Sequence, residues 1–192
     1  MKKPEYQGSG WALHNSDCIE GMWAMPASSI DCMVTSIPFG DLFVYSESER
    51  DLGNAGSGAD FMAQYRFFAE PLARVMKPGR NVSIHCMLLP TSKERDGVIG
   101  LTDFRGEIIR LYQRHGFTFH SEVVIWKDPV TAMQRTKALG LLWKQIKKDS
   151  TMSRQGIPDY VVTMRAPGRN AVPVSHTPEE FPVDEWQKWA SP

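Results

Sequence analysis

Four short runs rich in apolar and β-branched side chains, Ile30–Thr35, Val82–Met87, Val123–Trp126 and Tyr160–Met164, alternate with segments whose apolar residues recur at helical spacing. No other feature limits the possible folds as much. Short continuous apolar runs of this kind read as buried strands. Between the first two, Phe61, Met62, Tyr65, Phe68, Ala69, Leu72 and Met76 fall on one helical stripe. Lys77-Pro78-Gly79 is expected to stop that helix, because proline lacks the ladder donor and glycine suits a helix end. A second stripe runs over Phe104–Tyr112 through Ile108 and Ile109 and ends at His115-Gly116, and Thr131–Lys148 is a third candidate. The alternation predicts an α/β fold with a wound sheet. Residues 1–165 read as one unit; over 166–192, Pro167, Pro173, Pro178 and Pro182 break regular structure and suggest an extended arm.

Composition adds bounds. The chain has 192 residues, 42% of them apolar, enough for one domain core. Its 22 basic and 22 acidic side chains cancel, so global charge says nothing about partners. Cys18, Cys32 and Cys86 form no C-x-x-C pair, which argues against a disulfide framework or a metal site and for a reducing cytoplasm. No stretch of about 18 apolar residues suggests a membrane span, and Met1-Lys2-Lys3-Pro4-Glu5 opens no secretory leader.

The most informative stretch is His14 to Leu42, which joins an acidic turn, a short helix-like region, a strand and then Ser36-Ile37-Pro38-Phe39. Ligands of open α/β sheets bind at the carboxyl ends of strands, where this tetrapeptide is expected. Pro38 fixes the turn and removes a donor, leaving carbonyls free to accept, while Phe39 offers a flat apolar face. These parts suit a planar ring bearing an amino group.

The stretch resembles the signature of DNA amino-methyltransferases, in which Asp, Asn or Ser precedes Pro-Pro and an aromatic. Ser16-Asp17-Cys18-Ile19-Glu20 is similar to the "G-D-C-L-E" element of the permuted, beta-type members, departing at the glycine. Asp31 to Phe39 is similar to "D-x-x-x-T-S-P-P-[YF]", with Ile37 where the first proline is usual. Phe67–His85 resembles the helix, "LKPGG" turn and strand that follow, and Gly116–Lys127 resembles the "GF…IIW" strand. The likeness runs in order over residues 11–170. It implies a Rossmann-like methyltransferase sheet, S-adenosylmethionine as cofactor, DNA as partner, and adenine or cytosine as target. By the same resemblance, Ser36 and the Ile37 carbonyl would accept from the target amino group at the turn set by Pro38. Phe39 would stack on the base, while Asp17 and the Cys18 amide would hold the cofactor's adenine. Residues 1–165 would then be the catalytic half. Such enzymes belong to restriction-modification systems or mobile elements.

Each signal also has a plainer reading. Pro38-Phe39 can simply end a strand, and Asp17 can be a helix N-cap. Gly56-Ser57-Gly58 lacks the strand and helix of a nucleotide loop. His85 reads as a packed residue and His115 as a cation at a helix C-terminus. The loop from Phe43 to Asp60 is polar and glycine-rich, placed to close over a base. Arg135, Lys137, Lys144, Lys147, Lys148 and Arg154 form either a solvated helix face or a phosphate contact. The family's "F-x-G-x-G" cofactor element has no counterpart here, and the stretch from Trp186 to Pro192 resembles the lead-in to it. The expectation is therefore an incomplete sheet: a fragment, a subunit whose second half is another polypeptide, or a non-catalytic binding module for DNA or protein.

Overall fold

The computed structural model describes residues 3–40, 44–136 and 156–190. A hairpin of β1 (Tyr6–Gly8) and β2 (Trp11–Leu13) leads into helix α1 (Cys18–Trp23) and strand β3 (Ile30–Ser36). Helix α2 (Gly58–Val75) connects β3 to β4 (Met76–Met87). A short hairpin of β5 (Leu89–Pro90) and β6 (Leu101–Thr102) encloses the single turn α3 (Lys93–Asp96). Helix α4 (Phe104–Arg114), β7 (Thr118–Ile125), α5 (Pro129–Thr136), β8 (Asp159–Arg165) and α6 (Val183–Ala190) follow.

Four strands form one mixed sheet in the order β3-β4-β8-β7. β3 and β4 are parallel, as a helical crossover requires, and β8 lies antiparallel to both β4 and β7. Side chains alternate across the central strands. Val82, Ile84 and Cys86 on β4, with Val162 and Met164 on β8, are buried and join one core cluster with Phe61, Tyr65 and Leu72 of α2 and Phe104, Ile108 and Tyr112 of α4. Within this layer the Tyr65 and Tyr112 hydroxyls lie 2.8 Å apart, both fully buried. The opposite face, with Cys32 and Val34 of β3 and Val123 of β7, is exposed, Val34 at 76%.

The fold class is the expected one, with local corrections. Among the described residues only β4 and β8 are buried strands; β3 and β7 are edges with largely exposed side chains, and the described helices α2 and α4 pack on one face. Strand β7 begins at Thr118, well before Val123, and excludes Trp126. Helix α2 does end where expected, yet Lys77-Pro78-Gly79 is the start of β4, with Gly79 at φ +71. A Cβ on Gly79 would come within 2.7 Å of the Asn170 amide nitrogen, so glycine is needed for that approach as well as for the turn. Gly56-Ser57-Gly58, which showed no helix pattern, is where α2 starts: Ser57 caps it by accepting from the Asp60 amide at 3.1 Å. The arm carries helix α6, and Ala166 and Val172 remain tied to Arg80. Of the Thr131–Lys148 helix, α5 covers the first part; Lys137, Lys144, Lys147, Lys148 and Arg154 lie outside the described residues, as does Phe43 at the start of the loop. No helix among the described residues is long and apolar enough to cross a membrane.

Candidate active site at the carboxyl ends of the strands

Strand direction brings four chain segments to one end of the sheet. β3 and β4 run parallel, so Ser36 and His85 are register partners near their carboxyl ends. β8 runs the other way and presents its first residue, Asp159, opposite Met87 of β4 and Ile125 of β7. Lys127 follows just after β7. Ser36, His85 and Asp159 share the face that α2 and α4 leave bare, since their neighbours Ile84, Cys86 and Val162 point into the core.

The groups are linked. Ser36 Oγ lies 3.0 Å from His85 Nδ1. His85 Nε2 lies 3.2 Å from Asp159 Oδ2, and Lys127 Nζ is 2.5 Å from Asp159 Oδ1. Asp159 is 8% exposed, so its charge is largely withdrawn from water and needs these partners. Phe39 meets His85 edge-on, with ring centroids 5.4 Å apart and planes at 72°.

The turn after β3 is anchored from within. Ile37 is buried in the core, Pro38 and Phe39 are half-buried, and Gly40 closes the turn at φ +60. A Cβ on Gly40 would lie 2.9 Å from Leu89 Cδ1. Upstream, Arg74 Nη2 donates to the carbonyls of Met22 and Met25 at 2.7 Å and of Trp23 at 3.1 Å, binding the end of α1 to the end of α2. At the far end of β3, Asp31 pairs with Lys77 and Arg80, and the Lys77 hydrogen bond holds its carboxyl below the usual carboxylate range.

Asp17 is the N-cap of α1: Oδ1 accepts from the amides of Ile19 at 2.8 Å and Glu20 at 3.2 Å, while Oδ2 pairs with Arg50 Nε at 3.1 Å. The cap leaves the Cys18 amide untouched. A carboxylate has about four acceptor positions, so three donors leave room for one more. Burial, then the Asp17 charge, pushes the Cys18 thiol up. The loop beyond the turn is organised by Asp51, which accepts from the amides of Tyr45, Ser46 and Gly53. Those bonds, the Gly53 amide first, hold its carboxyl below the ordinary range.

Sequence reasoning placed Ser36–Phe39 at a strand end but treated His85 as a packed residue and passed over Asp159 and Lys127. The signal was weak: polar residues at the end of one apolar run and the start of another meet only once strand order is known.

The fold these elements build is Rossmann-like, of the kind seen in solved methyltransferase structures. No protein-family model and no curated protein matches the sequence, so the likeness is one of structure. A candidate DNA modification methylase from Thermus thermophilus, in complex with S-adenosyl-L-methionine, matches with a TM-score of 0.62 over 91% of this chain and 61% of its own, at 16% identity. The cytosine-N4-specific PvuII DNA methyltransferase matches with a TM-score of 0.58 over 86% of this chain and 52% of its own, at 17% identity. The chain thus spans less than two thirds of either structure's length.

Proposed function

We propose that this chain carries the base-binding part of a DNA methyltransferase that moves a methyl group from S-adenosylmethionine to an exocyclic amino group of adenine or cytosine. The observation that carries the reading is the Ser36–Phe39 turn at the carboxyl end of β3, beside β4, in a fold shared with a cytosine-N4-specific enzyme. An aromatic amine's lone pair is delocalised into its ring, so the nitrogen attacks only if it is helped toward tetrahedral geometry. Acceptors aimed at its protons give that help, and they act more strongly in the transition state than in the ground state. Ser36 Oγ and the Ile37 carbonyl are such acceptors, Pro38 sets their spacing, and Phe39 gives the base a face to stack on. A base in duplex DNA reaches them only by leaving the stack, at a cost of a few kcal/mol.

S-adenosylmethionine, when bound, supplies the methyl group as the electrophile. Asp17 and the Cys18 amide would hold its adenine, and the spare acceptor position on Asp17 fits that role. The remaining contacts would come from a segment or second polypeptide bearing F-x-G-x-G, laid along the free edge of β3. Among the described residues β3 is paired to β4 alone, with Cys32 and Val34 exposed beside that edge. This order of parts is that of the permuted, beta-type enzymes, and a restriction-modification system or mobile element in the cytoplasm is its natural setting.

A second reading, a non-catalytic α/β module that holds DNA or a partner protein, is favoured by Arg50 lying across Asp17. Isothermal titration with S-adenosylmethionine separates the two, run on the chain alone and with an F-x-G-x-G segment. It is paired with nucleoside analysis of DNA incubated with both. Heat of binding together with N6-methyladenine or N4-methylcytosine supports the enzyme; no binding in either format overturns it in favour of the module.

A further inference from the structure

We propose that His85 and Asp159 are positioning residues for Ser36, turning its hydroxyl into an acceptor and receiving the proton that the methylated amino group gives up. The role in proton transfer rests on the methyl-transfer reading above; the polarity of the hydrogen bonds does not.

A serine hydroxyl has one proton to donate and two lone pairs with which to accept. It accepts from a substrate N–H in a fixed direction only if its own proton is committed elsewhere. His85 Nδ1, 3.0 Å away, is the available acceptor if it carries no proton. The other ring nitrogen decides this. Nε2 faces Asp159 Oδ2 at 3.2 Å, and an ionised carboxylate only accepts, so Nε2 carries the hydrogen and Nδ1 presents its lone pair to Ser36. Three further contacts keep that arrangement in place. Lys127 balances the Asp159 charge from the other oxygen, the burial of Asp159 keeps water from competing, and the edge of Phe39 fixes the plane of the imidazole. Among the described residues, the charged groups facing the ring are therefore Asp159 from β8 and, behind it, Lys127 from the segment after β7.

The same chain accounts for the proton. As the amino nitrogen's lone pair forms the bond to the methyl carbon, the carbon–sulfur pair stays with the sulfur of the sulfonium donor. The nitrogen then holds one proton too many. Its N–H bond breaks with the electron pair returning to nitrogen, and the proton passes to Ser36 Oγ as the serine's own proton moves to His85 Nδ1. The imidazolium formed beside the Asp159 carboxylate passes a proton on to water, to which the His85 side chain is 30% exposed.

The test uses the full chain and has two arms. Nitrogen-15 NMR of the imidazoles, with His85→Asn assigning the His85 signals, should show a protonated Nε2 and a bare Nδ1 for His85. Asp159→Asn should mix the two tautomers. A protonated Nδ1 in the wild-type protein, or a tautomer unaffected by Asp159→Asn, overturns the polarity. In the second arm, methyl transfer to DNA is followed for the chain with its complementary segment. His85→Leu should lower kcat about 100-fold with KM little changed, the usual scale for a lost proton acceptor. His85→Asn, whose amide oxygen can accept from Ser36 Oγ but is too weak a base to hold the released proton, should recover part of that loss and stay well below the wild type. A His85→Leu variant that transfers as fast as the wild type overturns the proposal. A wild-type chain inert toward every base overturns the methyl-transfer reading and with it the proton's destination, whereas the hydrogen-bond polarity is decided by the NMR arm alone.

Discussion

The buried Tyr65–Tyr112 pair offers a direct test of how the helical layer is held on the sheet. Both side chains are essentially inaccessible, at 1% and 0%, and their hydroxyls are 2.8 Å apart. Replacing either tyrosine with phenylalanine removes one partner and leaves the other hydroxyl in an apolar core, at a cost of about 1–3 kcal/mol. The double replacement removes both polar groups together, so the lost hydrogen bond is offset by the desolvation no longer required, and the net change should lie within about 1 kcal/mol of zero. Summing the singles therefore overestimates the double, and a coupling of at least about 1 kcal/mol is expected, within the range of about 0.5–3 kcal/mol seen for directly touching groups. For a chain of this size each kcal/mol moves Tm by about 2–4 °C. Urea unfolding of the wild type, Tyr65→Phe, Tyr112→Phe and the double variant, followed by circular dichroism, measures all four corners. Additive losses, or single variants indistinguishable from wild type, would refute the claim that these hydroxyls depend on each other.

Three further outcomes are expected. On the methyl-transfer reading, Phe39→Ala should abolish most methyl transfer, while Ile37→Pro retains it, because any residue at 37 supplies a carbonyl; the loss of the buried Ile37 side chain should cost up to about 1.5–3 kcal/mol in stability. Burial pushes the Cys86 thiol up to about 12 from an ordinary 9.0, so its contribution to stability is intact below pH 9.0 and is lost as pH rises toward 12. Burial shifts Tyr65 and Tyr112 in the same direction from 10.0, so unfolding free energies should fall above pH 9, and Cys86→Ala should flatten the first part of that decline. Gly40→Ala should destabilise by about 1–2 kcal/mol, seen as a lowered urea midpoint, because alanine resists the positive φ there.

Much of the architecture was legible because periodicity carries it. The Phe61–Met76 stripe buries the residues that α2 presents to the core, and Val82–Met87 contains the alternating inward residues of β4. What periodicity does not encode is which face of the sheet the helices cover. Val34 and Val123 are as apolar as Val82 and Val162, but their register partners are Ser83 and Val161, so they point to the face opposite α2 and α4. The candidate site divides the same way. Ser36–Phe39 is contiguous and could be read, whereas His85 and Asp159 join it only after a helical crossover and an antiparallel return. Asp17 shows a different limit. Cap geometry and an ion pair with Arg50 both arise in the structure: the cap leaves Asp17 an acceptor position to spare, while Arg50 competes for the same carboxylate.

Among the described residues one side of β3 is unpaired, and that bears on how the chain behaves in solution. An edge strand with outward amide and carbonyl groups is a template for pairing, and exposed apolar side chains beside it, here Val34 and Cys32, make such pairing adhesive. Asp31, clasped by Lys77 and Arg80, puts charge at only one end of that seven-residue strand. Left uncovered, β3 would pair with the β3 of a neighbouring molecule as readily as with a complementary segment. Whatever covers that edge would therefore shield the chain from self-association during synthesis, before any chemistry begins.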